Sequence, residues 1–193
     1  MRLILIFICL TAAFVSPAIA HPSSASAASF SAGVAHPFSA LDHFTAMVAV
    51  GLWAALKGDR ALWVWPTTFI GVTVFGGVLG MARVAVPFVE PGILVSVVVL
   101  GLAVALAINL PVLIGAAIIG IFALLHGHAH GTEVADTING LEYMVGFALA
   151  TATLHTLGIS LALGAALGSV RLFAWLASRA LLLVLGCSAG SFK

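Results

Sequence analysis

Apolar blocks close to the length of a membrane crossing alternate with short polar or proline-bearing breaks along this chain. A hydrocarbon core about 30 Å thick is crossed by about 20 apolar helical residues, so each block predicts one transmembrane helix. The N-terminal segment stands apart. Arg2 is a minimal positive region, residues 3–15 are apolar, and Ala18-Ile19-Ala20 offers an A-x-A cleavage site. That is the pattern of a secretory signal peptide, whose removal leaves His21-Pro22 at the mature N-terminus. Spans are then expected at 37–56, 61–82, 93–108, 112–126, 141–164 and 172–189. Between them fall the charged turn Lys57-Gly58-Asp59-Arg60, a loop at 83–92, the breaker Asn109-Leu110-Pro111, a polar loop at 128–139 and a loop at 168–171. The stretch 93–126 is split at Pro111 because a single helix of its 34 residues would reach about 51 Å at 1.5 Å per residue. Trp63 and Trp65 are expected at the membrane–water interface. The expected fold is all-α: a signal peptide over 1–20, then a polytopic bundle of about six transmembrane helices over 21–193.

Composition agrees. Apolar residues make up 63% of the chain and charged ones 7%, and the mean hydropathy is +1.26. A soluble domain carries about 45–50% and about 25% respectively, so this chain belongs in a lipid bilayer. The formal net charge of +1 gives no reason to expect a nucleic-acid partner. No basic run, Walker loop or dinucleotide fingerprint appears, and no enzymatic activity is expected. Cys9 leaves with the signal peptide, and Cys187 then reads as helix packing. Lys57, Arg60, Arg171 and Arg179 fall on one side of the predicted spans, Arg83 and Lys193 on the other. The excess of basic residues marks the cytoplasmic side, which places the 57–60 turn inside and both termini outside.

This topology puts every histidine outside the cytoplasm or in the outer-to-central membrane. His36 and His43 lie seven residues apart and are nearly eclipsed on one helix. Met47 is one turn deeper, and Asp42 can orient the His43 imidazole or ligate directly. His126 and His130 have the i, i+4 spacing that lets two imidazoles grip one ion, with His128 between them and Glu133 following. His128 points away if the helix continues, although Gly127 and Gly131 are candidate helix breakers. His155 lies mid-span and shares a face with Thr151. Imidazole suits divalent nickel, copper, zinc or cobalt, and polar groups at membrane depth are costly and usually functional. Plainer readings stand beside these. His21 reads as a processing remnant and Met47 as core. His155 alone could make a helix-packing hydrogen bond, and Glu133, Asp136 and Glu142 could be loop charges. The strongest plain alternative for His126–His130 is a solvated loop that buffers metal.

Three blocks carry a family resemblance. The first is His36-Pro37 with Asp42-His43, Met47 and Val50-Gly51. The second is His126-Gly127-His128-Ala129-His130-Gly131 with Glu133. The third is Phe147, Ala150-Thr151 and Leu154-His155 with Gly158. Glu90-Pro91-Gly92 with Ser96 and Gly101 adds to them. In these residues the chain resembles the HupE/UreJ family of nickel and cobalt permeases, accessory proteins of nickel–iron hydrogenase and urease. The resemblance implies inward movement of Ni²⁺ across the inner membrane of a bacterium, and the motif does not separate nickel from cobalt.

The expected function is thus a secondary permease with Ni²⁺ (or Co²⁺) as transported ion and no permanently bound cofactor. Metal arrives at His126, His128, His130 and Glu133, with His36 nearby, and passes to Asp42, His43, Met47 and His155. Glycines 71, 76, 77, 80, 115 and 120 let helices approach closely. The expected partners are the metal ion and the bilayer; a homo-oligomer and a partner subunit both stay open. The rival classes are a periplasm-facing metal sensor without transport and an intramembrane redox protein. The latter would be a di-iron enzyme or a haem protein using His43 and His155.

Overall fold

A computed structural model of the protein describes residues 29–39, 41–134 and 139–189, with side chains as far as 166. The signal peptide, His21 and Asp136 lie outside these residues, as do the side chains of Arg171, Arg179 and Cys187. Six helices and no strand occur among the described residues: α1 (Ser29–Ser39), α2 (Leu41–Lys57), α3 (Ala61–Met81), α4 (Val89–Ala105), α5 (Val112–Glu133) and α6 (Gly140–Ala189). Three segments are long and apolar enough to cross a membrane: α3, α5 and Gly140–Ala166 of α6. The pair α1–α2 adds a fourth if it forms one broken span, and α4 is a shorter apolar helix.

The all-helical expectation holds, but the helices do not all coincide with the expected spans. α3 and the start of α5 do, because charges at 57–60 and Pro111 mark those boundaries in the sequence. The first expected span is instead two helices meeting at 80°. At this break the Ser39 hydroxyl donates to the His36 carbonyl at 2.8 Å, and the Asp42 carboxylate accepts the His43 N–H at 2.8 Å. Such local side-chain bonds satisfy backbone groups outside the helical ladder. The expected 168–171 loop is also helical, since α6 runs unbroken for 50 residues. No proline interrupts that stretch, and Gly168, the glycine of the expected loop, costs only about 1 kcal/mol in a helix. Finally, α5 continues through Gly127 and Gly131 to Glu133. Those glycines do not end the helix; they press its backbone against α3.

The bundle is apolar outside and holds a set of polar side chains within an apolar core. Leu113 is 81% exposed, and Phe75, Leu94, Ile121 and Leu149 also face outward. His126, His130, His155, Thr73, Thr151 and Ser96 are buried among residues such as Met47, Trp53, Phe69 and Phe147. An apolar outer surface fits a chain whose solvent is hydrocarbon, and polar groups at membrane depth face the bundle interior. α3 lies along α5, whereas α1 and α2 both pack on α6.

Of the two tryptophans expected at the interface, Trp63 is exposed but Trp65 is fully buried. Trp65 packs on Trp53 with ring centroids 4.4 Å apart. Their indole N–H groups donate to Val112 and Ile108 carbonyls, each at 2.8 Å, at either side of the α4–α5 connection. Lys57 Nζ donates to Asn109 Oδ1 in the same connection at 2.6 Å. Trp65→Phe removes one of these bonds and leaves most of the ring contact. We expect a loss of about 1–2 kcal/mol, against less than about 0.5 kcal/mol for Trp63→Phe, read from thermal unfolding in detergent.

Candidate metal centre

Three helices deliver imidazoles to one point. α1 carries His36 just before its end, α2 carries His43 in its first turn, and α5 carries His126 and His130 one turn apart. One ligand nitrogen from each of His36, His43 and His130 lies within 4.8 Å of the others. An ion bound at ~2.1 Å from each nitrogen in tetrahedral geometry requires separations of ~3.4 Å. Closure of the rings by about 1.4 Å at most completes that arrangement. The His130 ring is 4.4 Å from that of His43 and 4.5 Å from that of His36. The His126 ring is 4.9 Å from His43. The α1–α2 bend preserves the neighbourhood that a single straight helix would have given, with His36 and His43 centroids 5.9 Å apart.

Hydrogen-bond partners fix how these rings present themselves. Asp42 Oδ1 lies 2.7 Å from His43 Nδ1. An ionised carboxylate only accepts, so Nδ1 carries the proton and Nε2 presents its lone pair. The Met47 carbonyl, 2.7 Å from His155 Nδ1, sets the same tautomer at His155. The Val84 carbonyl, 2.7 Å from His128 Nε2, leaves His128 Nδ1 bare. In each case the remaining nitrogen is buried with no hydrogen-bond partner among the described residues, and both nitrogens of His130 are in that state. A buried, unpartnered acceptor costs about 1–3 kcal/mol. Several in one small volume are the donor set that a soft-to-borderline dication satisfies.

Charge is supplied at the rim. Asp42 is partly buried beside His43, and Glu133 Oε2 lies 3.7 Å from His130 Nδ1 on the exposed side. Both carboxylates thus stand beside imidazoles of the cluster.

The remaining candidates are distributed differently. His128 is buried but turned toward Val84, away from the cluster, as helix continuation requires. Met47 is fully buried in the core, and it is its backbone carbonyl that holds His155. His155 lies beyond Phe69, whose ring stands 5.8 Å from His126 and 5.1 Å from His155. Phe147 packs on His130 at 4.4 Å. Ser96, fully buried, places its hydroxyl 2.8 Å from His126 Nε2. Phe69 carries no metal-binding chemistry that marks it in the sequence, and Phe147 stands out there only through the family resemblance. Ser96 is a polar residue in an apolar helix, which was the available signal.

A family model described as HupE / UreJ protein matches residues 8–188 of this chain. The chain is similar to "Protein HupE" of Rhizobium leguminosarum bv. viciae, at 47% identity over 152 residues, covering 78% of this chain and 80% of that protein. No solved structure matches. With the family pattern spanning the histidine-bearing helices from α1 to α6, the chain belongs to the HupE / UreJ family.

Proposed function

We propose that the protein is a secondary permease that imports nickel, with cobalt as the second candidate ion, across the bacterial inner membrane. The metal then serves urease or nickel–iron hydrogenase maturation. The observation that carries this reading is the convergence of His36, His43 and His130 from three helices, with ligand atoms within 4.8 Å of one another. Imidazoles select a borderline dication over Mg²⁺ or Ca²⁺, which prefer oxygen. Glu133 and His36 receive the ion at the periplasmic side, His130 and His43 hold it with Asp42 nearby, and His126 and His155 pass it inward. The position of His155 past Phe69 favours a path over a surface sensor, because a sensor has no use for a second bare nitrogen deeper in the bundle. No nucleotide-binding motif is present in the sequence, and the proposed driving force is a gradient or a partner subunit.

Uptake of radiolabelled nickel by a host lacking its own nickel permease tests this. Cells expressing the chain accumulate the ion above vector controls; metal bound by the purified protein without uptake would turn the reading into a sensor. Asp42→Ala frees the His43 ring and removes a negative charge. We expect Ni²⁺ affinity to fall about 10–100-fold, the usual cost of losing a carboxylate behind a ligating histidine, measured by titration calorimetry in detergent.

A further inference from the structure

We infer that Ser96 of α4 is a positioning residue that presents His126 Nδ1 as a fourth ligand to the His36–His43–His130 cluster. The inference rests on the metal-binding part of the permease reading.

Ser96 lies in α4, which carries no other residue placed at the site. Its side chain is fully buried. The hydroxyl has one proton, and the Ile93 carbonyl lies 2.6 Å away. A carbonyl can only accept, so the Ser96 O–H donates there. The second contact of the same oxygen, 2.8 Å to His126 Nε2, must then run the other way, with Nε2–H as donor and Oγ as acceptor. This fixes His126 as the Nε2-protonated tautomer. Its Nδ1 is bare, fully buried and without a hydrogen-bond partner among the described residues.

That nitrogen belongs to a ring 4.9 Å from His43 and one helical turn from His130. The three-imidazole group leaves open the fourth position of a tetrahedral N-donor site. His126, in ring contact with His43, stands outside the group whose ligand atoms lie within 4.8 Å of one another, so it fills that position only as the rings close on the ion. Without Ser96, either nitrogen of His126 can hold the proton, and a protonated Nδ1 cannot ligate. The chain Ile93 carbonyl–Ser96–His126 repeats at α4 what Asp42 does for His43 and the Met47 carbonyl for His155.

The test uses the full-length protein in detergent with Co²⁺ as spectroscopic probe. Metal-free wild type should show His126 protonated at Nε2 by ¹⁵N NMR, and Ser96→Ala should mix the two tautomers. Co²⁺ affinity should fall about 10–100-fold in Ser96→Ala, with weakened ligand-field bands matching those of His126→Ala. Adding Ser96→Ala to His126→Ala should cost nothing further, because the two act as one unit. Ser96→Thr keeps the hydroxyl and should retain wild-type bands. An equal drop in affinity with and without His126 would make Ser96 merely structural and overturn the inference. So would a Ser96→Ala protein with the wild-type spectrum, which leaves the permease reading intact. Wild-type protein that binds no Co²⁺ and takes up no nickel overturns both.

Discussion

Replacing His130 with alanine is expected to reduce nickel uptake by more than about 100-fold, a larger loss than removal of a supporting carboxylate causes, while the protein stays folded in the membrane. His130 is the centre of the cluster. Rings of His36, His43 and Phe147 lie 4.4–4.5 Å from its own, and Glu133 approaches its Nδ1. Yet neither of its ring nitrogens has a hydrogen-bond partner among the described residues, although the residue is only 1% exposed. A buried polar group in that state destabilises the metal-free fold. Alanine removes this cost and leaves a cavity of imidazole size, and the two effects oppose each other. Thermal unfolding should shift by only a few degrees, in either direction, while uptake is lost. A site that is costly in stability and indispensable in function is the expected trade-off. Loss of uptake together with loss of protein from the membrane would instead assign His130 a structural role.

The largest effect on stability is expected at the α3–α5 contact. A Cβ at Gly127 would collide with the Thr73 carbonyl, and one at Gly131 with the Gly77 carbonyl. From the other side, a Cβ at Gly76 would meet the Leu124 carbonyl and one at Gly80 the His128 carbonyl. Backbone stands against backbone along two turns, a contact that small residues permit between membrane helices. Flexible side chains can move aside, but helical carbonyls cannot. Alanine at Gly127 or Gly131 should cost about 3 kcal/mol, at the upper end of ordinary overpacking, and valine more. Gly120 on the same helix is the control. A Cβ there meets only Thr68 Cγ2 at 3.6 Å and Val72 Cγ2 at 3.9 Å, which is ordinary contact. Gly120→Ala should be neutral, or stabilising by up to about 1 kcal/mol from helix propensity. Unfolding temperatures in detergent separate the two sets, and equal effects at Gly120 and Gly131 would contradict the assigned contact.

These two predictions mark what the sequence could and could not convey. The i, i+4 pair His126–His130 and the Asp42-His43 dipeptide are local signals, and both lead to the cluster. The bounds of α3 follow from local charge. Gly127 and Gly131 read as candidate helix breakers because propensity is local, whereas their partners Thr73 and Gly77 lie on another helix. Trp65 was misplaced at the interface for the same reason: its carbonyl partner, Val112, is 47 residues away. Glycines 76 and 80 serve close approach as expected, but Gly71 has nothing within 4 Å. Met47 was a candidate through its sulfur and contributes through its carbonyl, which every residue possesses and no motif encodes. The joining of His36 and His43 depends on the 80° bend between α1 and α2, which a heptad spacing cannot announce.

The proposed function routes the ion through the histidine cluster of this chain. Reconstituting purified protein into liposomes that enclose a Ni²⁺-sensitive dye tests it most directly. Saturable Ni²⁺ accumulation in the lumen is expected with wild-type protein, and accumulation no greater than in empty liposomes with His43→Ala. Ni²⁺ that binds the wild-type protein but never reaches the dye, or His43→Ala liposomes that fill at the wild-type rate, would contradict it.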